Sequence, residues 1–361
     1  MTNVFNKIVT RILLKRGFSP YCAQLHSKNI IDDLTHNKQN TIREKIWAHR
    51  RGFFSSDINN YGLTEQNYKQ YLSSYDYYKL HPLNGEFGKW IDDKLTIKYL
   101  LYPYKDFLPK YYYHLKTGGI IIPLMDADNE HAANGETIIE LLKSETNLAV
   151  KLIAGQGGVG FYKISFLNNL FYINNTIVEQ EKMLEFICKL EGCLITEYVT
   201  AHHEISRIFS LSANTARIMV INEDGLHPFV ANAIIRFGTQ SSGSVDNISA
   251  GGFFSIIDIK NGNFSMGRKY GPHFAICETH PDTQVKVSGT VPNWDFLMVK
   301  IVEIAKYLVE LNYMGFDVVV TEEGFKILEI NSFQGMEVFQ YYYPLLINND
   351  AAEFFKKLVK K

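Results

Sequence analysis

The chain is poor in cysteine, has no long apolar run and carries almost no net charge, and each shortage closes off a class of protein. Its four cysteines, Cys22, Cys188, Cys193 and Cys277, show no C-x-x-C pair. Neither a thiolate metal site nor a disulfide framework is spaced along it, and reduced thiols are the expectation. No run of eighteen apolar residues occurs, and the N-terminus lacks the small-residue cleavage site of a signal peptide, so a cytoplasmic chain is expected. Lys and Arg number 37 against 38 Asp and Glu, a net charge of −1, which gives no footprint for nucleic acid. The 24 Phe and 22 Tyr are not interleaved with a basic stripe and read as packing rather than base stacking. No internal repeat or low-complexity tract is visible. What remains is 361 residues, 46% of them hydrophobic and 21% charged, enough for a sizeable core and two or three subdomains.

The most informative stretch is residues 315–331. Asp317 opens an apolar, β-branched strand, Glu322-Glu323-Gly324 makes a turn, and residues 325–330 return as a second strand. Side chains alternate along a strand, so Glu329 and Asn331 share a face, and the hairpin can bring Asp317 alongside them. Two carboxylates and an amide, with no Cys or His, make a hard-oxygen set that suits Mg, a metal that in such sites also holds substrate phosphates. A surface hairpin with scattered acids is the alternative.

A second element lies far upstream. Residues 148–153 form a short strand with one lysine, Lys151, in an apolar run; Ala154-Gly155-Gln156-Gly157-Gly158-Val159-Gly160 follows, and then a strand over 161–166. Glycines at this density let the backbone approach an anion and aim its amides at it. The pattern is not a Walker loop, which needs Gly-Lys-Ser/Thr, nor a dinucleotide fingerprint, which opens a helix. It leaves either a glycine-rich flap over a triphosphate, with Lys151 beneath it as a point charge, or a flexible hairpin loop. Arg217 and Arg236 lie in strand-like runs, 215–221 and 230–237. A buried arginine there wants an anion, whether a phosphate or carboxylate of a substrate or one of the chain's own acids.

With Asp93-Lys94, Ile195-Thr196-Glu197-Tyr198-Val199, His202-His203-Glu204, Asn214-Thr215-Ala216-Arg217, Arg236-Phe237-Gly238, Asp246-Asn247, Gly251-Gly252 and Pro292-Asn293-Trp294, these blocks run in order over about residues 47–331. In that order the chain resembles the ATP-grasp superfamily and, more narrowly, the sugar-transfer associated ATP-grasp family found with polysaccharide biosynthesis genes. The resemblance implies an α+β fold in which two α+β lobes clasp ATP. It implies that Lys94, Lys151 and the flap residues Gly155, Gln156, Gly157, Gly158, Val159 and Gly160 hold the triphosphate, and that Glu197 and Val199 read adenine through their backbone with Tyr198 facing inward. His202 matches the hinge histidine and Glu204 could take the ribose, a role that a short alignment slip moves to His203; a solvent-facing loop is the alternative for each histidine. Mg would sit on Asp317, Glu329 and Asn331. Well-known ATP-grasp ligases carry an arginine just before that aspartate, where this chain has Gly315-Phe316, which shifts stabilisation of the intermediate to Arg217 or Arg236. Asp246-Asn247 with Gly251-Gly252 would shape the acceptor side.

The expected organisation is a helical N-terminal region over 1–90, a lobe with the glycine-rich flap over 91–200 and a lobe with the Mg site over 201–361. The first of these departs from the usual plan, which begins with a small Rossmann-like domain. Residues 4–16 read as a basic amphipathic helix with Lys7, Arg11 and Lys15 at i, i+4, i+8. Docking on the rest of the protein is the favoured reading and weak membrane-surface contact the other. No feature sets an oligomeric state. The chemistry implied is ATP-dependent joining of an amine to a carboxylated sugar or glycan precursor through an acyl phosphate, releasing ADP and phosphate. A phosphotransferase to a sugar hydroxyl and a non-catalytic nucleotide-binding partner in glycan assembly are the alternatives.

Overall fold

The N-terminal part is helical because its start signals are strong: Ser19 before Pro20, Thr41 with Glu44 in a reciprocal capping box, and Asp93, whose side chain accepts from the Thr96 amide at 2.7 Å. These begin α2 (Pro20–Thr35), α3 (Ile42–Arg50) and α7 (Lys94–Leu100); α1 (Thr2–Lys15), α4 (Ser56–Tyr61), α5 (Ser74–Leu80) and α6 (Lys89–Asp92) complete the set. The computed structural model describes residues 2–128, 133–153, 155, 160–269, 275–347 and 350–360. Among them no helix is long and apolar enough to cross a membrane.

Two antiparallel sheets follow. The first contains β1 (Tyr111–Leu115), β2 (Ile121–Pro123), β3 (Asn147–Leu152), β4 (Tyr162–Leu167), β5 (Leu170–Ile173), β6 (Thr176–Val178) and β7 (Cys193–Glu197), in the order β2-β1-β7-β3-β4-β5-β6. Helices α8 (Gly135–Glu145) and α9 (Gln180–Lys189) cover one face, where Ile138, Leu142, Met183 and Ile187 meet Leu148, Val150 and Ile195. Alternation along β3 therefore turns Lys151 to the opposite face.

The second sheet is built on β8 (Ala216–Ile221), β9 (Phe229–Phe237), β10 (Phe253–Ile257), β11 (Asn263–Ser265), β12 (Gly267–Lys269), β13 (Ala275–Cys277), β14 (Ser288–Thr290), β15 (Tyr313–Thr321) and β16 (Gly324–Asn331), with the path β13-β12-β10-β9-β8-β15-β16. Every residue of β15 is buried, as a strand covered on both faces must be. Helix α11 (Trp294–Tyr307) packs on one face, its Leu297, Ile301 and Ile304 against Ile218, Phe316 and Val318. The other face carries Met219, Ile221 and Tyr313 and is covered by Phe53, Leu72 and Tyr77 of the N-terminal region and by Phe355 of α13 (Ala351–Val359). Arg217 and Asp317 alternate onto that second face. Short α10 (His203–Ser206) and α12 (Glu337–Gln340) complete the chain.

The strand of the distal hairpin begins at Tyr313, four residues before Asp317. Helix α1 only half fulfils the docking expectation. Leu13 is buried with Phe18, Cys22 and Ala23, but Val4, Phe5, Ile8 and Ile12 stay exposed.

Candidate functional site

Between the two sheets lies a cavity of about 500 Å³, and its walls follow from the strand faces just described. The first sheet contributes Lys151. Helix α7 contributes Lys94, which the Asp93 cap places at the first helical position. The second sheet contributes Arg217 from β8, Arg236 from β9, Asp317 from β15, and Glu329 and Asn331 from β16.

Register brings the charges together. Asp317 stands opposite Arg217 on β8 and opposite Glu329 on β16, and Gly315 opposite Asn331, with a bulge after Asp317. Arg217 clasps the Asp317 carboxylate bidentately, Nε on Oδ1 and Nη2 on Oδ2 at 2.6 Å, and Nη2 of Arg236 reaches Oδ2 at 3.1 Å. Burial would raise the Asp317 carboxyl, but the two guanidiniums outweigh it and hold the group well below the usual carboxylate range. Arg236 also donates from Nε to Thr215 Oγ1 at 2.9 Å, and Thr215 Oγ1 donates at 2.7 Å to Asp246, whose Oδ1 lies 3.9 Å from Arg236. Thr215 and Asp246 thus fix the second guanidinium from behind.

The lysines differ. Lys94 Nζ lies 2.9 Å from Glu329 Oε2 and donates to the Gly155 carbonyl at 2.8 Å. Its own amide donates to Ile153 O at 3.2 Å, so this residue touches both sheets. Lys151 is buried, with its ammonium 5.7 Å from the centre of the Tyr111 ring. Burial, with Lys94 adding to it, pushes its pKa down to about 8. Asn331 Nδ2 donates to Gly315 O at 3.3 Å, leaving the amide oxygen as the atom able to ligate. The donors Asp317, Glu329 and Asn331 are all hard oxygens on one cavity wall, a chemical fit for Mg rather than a softer metal.

Of the flap, Gly155 lines the cavity and Gly160 has φ of +72° with Leu152 packed close to its α-carbon. Gln156, Gly157, Gly158 and Val159 lie outside the described residues. None of the hinge residues is among the described residues lining this cavity, although Tyr198 interacts with its Asp246 and Glu197 with its Lys151. Glu197 accepts from the Lys110 amide at 2.9 Å, Tyr198 lies under Lys163 at 4.4 Å, and Val199 is buried in the core beneath the second sheet. His202 caps α10, its Nδ1 accepting from the Glu204 amide at 3.1 Å, and Glu204 pairs with Arg207 at 3.1 Å. Glu322, in the hairpin turn, lies 3.2 Å from His202 Nε2 and 3.0 Å from His203 Nδ1. Because Nδ1 of His202 accepts, its ring proton sits on Nε2 and points at Glu322, so that nitrogen has no lone pair for a cation.

Among the charged residues described in the cavity lining, one escaped the sequence reading. Glu337 opens α12 and, among the described residues, forms no ion pair; burial raises its pKa. Its only mark in the sequence is a single acid inside the apolar run 336–339.

Several solved structures are similar to this chain. The ATP-grasp ligase PsnB, in a complex with a phosphomimetic variant of its minimal precursor, Mg and ADP, is 12% identical over 77% of this chain and 61% of its own, with a TM-score of 0.41. D-alanyl-alanine synthetase A from Vibrio cholerae is 11% identical over 75% of this chain and 65% of its own, with a TM-score of 0.41. L-amino acid ligase from Bacillus licheniformis is 9% identical over 75% and 48%, with a TM-score of 0.39. The chain therefore spans less than two thirds of the length of each. No curated protein matches it. Residues 74–351 match the sugar-transfer associated ATP-grasp family, and the chain belongs to that family.

Proposed function

We propose that the chain is an ATP-dependent carboxylate–amine ligase that works through an acyl phosphate, attaching an amino compound to a carboxylated sugar or glycan precursor with release of ADP and phosphate. The observation that carries this reading is the gathering of Lys94, Lys151, Arg217 and Arg236 with Asp317, Glu329 and Asn331 around one cavity between two sheets. Family membership supports ATP as the phosphoryl donor.

In this reading Lys151 and Lys94 meet the triphosphate, the first as a buried charge with no carboxylate ion pair among the described residues and the second by exchanging Glu329 for a phosphate oxygen. Arg217 and Arg236 orient the substrate carboxylate and stabilise charge on its oxygens as the phosphoryl group arrives. Asp317, Glu329 and Asn331 would hold Mg, which when bound supplies neutralisation of the terminal phosphates. The substrate carboxylate oxygen forms the new bond to phosphorus as the bond to ADP breaks. The amine then attacks the acyl carbon, phosphate leaves with that oxygen, and the amine gives up a proton. No nucleophilic Cys or Ser is required.

The test is interception of the intermediate. With ATP, Mg and a panel of uronic acids, hydroxylamine should yield a hydroxamate together with ADP and phosphate, and labelled carboxylate oxygen should appear in the phosphate. A phosphorylated sugar without hydroxamate or oxygen transfer would replace the ligase with a phosphotransferase.

Lys151 adds a second expectation. Lys151→Met keeps the stem's packing and removes the charge, so nucleotide affinity should fall. In the wild type the ammonium is present below its pKa of about 8 and lost above it. Calorimetry should therefore show affinity falling as pH rises from about 7 to 9, and Lys151→Met should flatten that dependence. Equal affinities for variant and wild type would remove Lys151 from the site.

A further inference from the structure

Helices α1 to α4 precede the family match and leave an apolar surface uncovered beside a surplus of positive charge. Val4, Phe5, Ile8 and Ile12 of α1 are 64, 49, 50 and 46% exposed. At about 100° per residue they fall on one stripe roughly 100° wide. Lys7 and Arg11 lie along one border, Lys15 closes the stripe at its C-terminal end, Arg16 follows the helix, and no acidic residue occurs in it. The stripe continues onto α3. Ile46, 47% exposed, shares with Ile12 and Arg16 a groove of about 280 Å³, and Ile42, 66% exposed, lies one turn further along. Exposed Arg43 and Arg50 belong to the same helix. Residues 1–55 contain ten Lys and Arg against three Asp and Glu, a net charge of +7 in a chain whose total is −1.

We propose that this face docks on an anionic lipid bilayer, with α1 lying in the plane of the interface. An amphipathic helix binds there by sinking its apolar stripe beneath the headgroups while flanking Lys and Arg meet lipid phosphates. Charge selects this occupant over a second copy of the chain, which would set one positively charged face against another. It selects lipid over nucleic acid because phosphate contacts alone would leave Phe5, Ile8 and Ile42 in water. The groove between α1 and α3 offers room for part of an acyl chain. This inference does not rest on the ligase reading and stands or falls separately from it.

Flotation of the purified full chain tests it. The chain should float with phosphatidylcholine vesicles containing about one-third phosphatidylglycerol and stay down with phosphatidylcholine alone. Binding should weaken sharply at about 1 M salt, where the screening length is ~3 Å. Phe5→Asp with Ile8→Asp should abolish flotation. Lys7→Gln with Arg11→Gln should weaken it about fivefold per charge removed. All four side chains are exposed, so both variants should keep the wild-type melting curve; should the first fail to fold, the second still decides. Flotation unchanged in the charge variant, equal binding to neutral vesicles, or a dimer in sedimentation that Phe5→Asp with Ile8→Asp dissociates would each overturn the proposal.

Discussion

Arg217→Ala should destabilise the fold by about 3 kcal/mol, the low end of what breaking a buried ion pair costs. Asp317 is the reason. Its side chain is 3% exposed and would keep only Arg236 at 3.1 Å. The loss comes from the stranded carboxylate rather than from the pair's own attraction, so Arg217→Ala combined with Asp317→Ala should recover part of it. The sign of the pH dependence follows. Asp317 is depressed relative to its ordinary 3.8, so its contribution is complete above about pH 4 and lost as pH falls further. In Arg217→Ala that acid-side loss should shrink. Urea unfolding at pH 7 and again at pH 3 measures both. Under the ligase reading turnover should also drop by about two to three powers of ten, the usual effect of removing one stabilising donor. A variant within about 0.5 kcal/mol of wild type would mean that Arg217 and Asp317 are not a buried pair.

Glu329→Ala should act on chemistry and spare stability. Its side chain is 28% exposed and pairs with Lys94 at 2.9 Å; without Glu329 the Lys94 ammonium keeps the Gly155 carbonyl at 2.8 Å, so it is not left stranded. In the proposed reaction it is one of the two carboxylates assigned to Mg, and several kcal/mol of charge stabilisation depend on that ion. Turnover should therefore fall by about a thousandfold or more with an unchanged melting curve. A rate within about tenfold of wild type would remove Glu329 from the site.

The hairpin over 315–331 could be read from the sequence because its signals are local: a β-branched run, a tight acidic turn, and an alternation that puts Glu329 and Asn331 together. The first N-terminal helix was legible for the same reason, its apolar residues recurring at helical spacing over 4–16. Strand order is another matter. Arg217 meets Asp317 because β8 pairs with β15 across 100 residues, and nothing in either strand's alternation names its neighbour. Both guanidiniums were legible as seeking an anion, and the anion turned out to be the chain's own. Glu337 was invisible because it reaches the cavity through a short irregular segment with no period to extrapolate. For α1 the docking expectation holds in part, Leu13 being buried while Val4, Phe5, Ile8 and Ile12 stay exposed; burial depends on what lies opposite, which a single segment does not encode.

The pairing of the cavity's cations with its own carboxylates has a consequence for what the cleft can admit. Lys151 aside, a lone phosphate that takes Lys94 strips Glu329 of its partner, and a lone divalent ion that takes Asp317 or Glu329 strips a cation. Each exchange returns little, because one bond is broken for every bond made. A visitor bearing both signs satisfies both halves at once, its oxygens taking the released cations and its metal the released carboxylates. The cleft in this respect behaves as a coincidence detector, in which electrostatic self-pairing discriminates against either half arriving alone before any segment has moved.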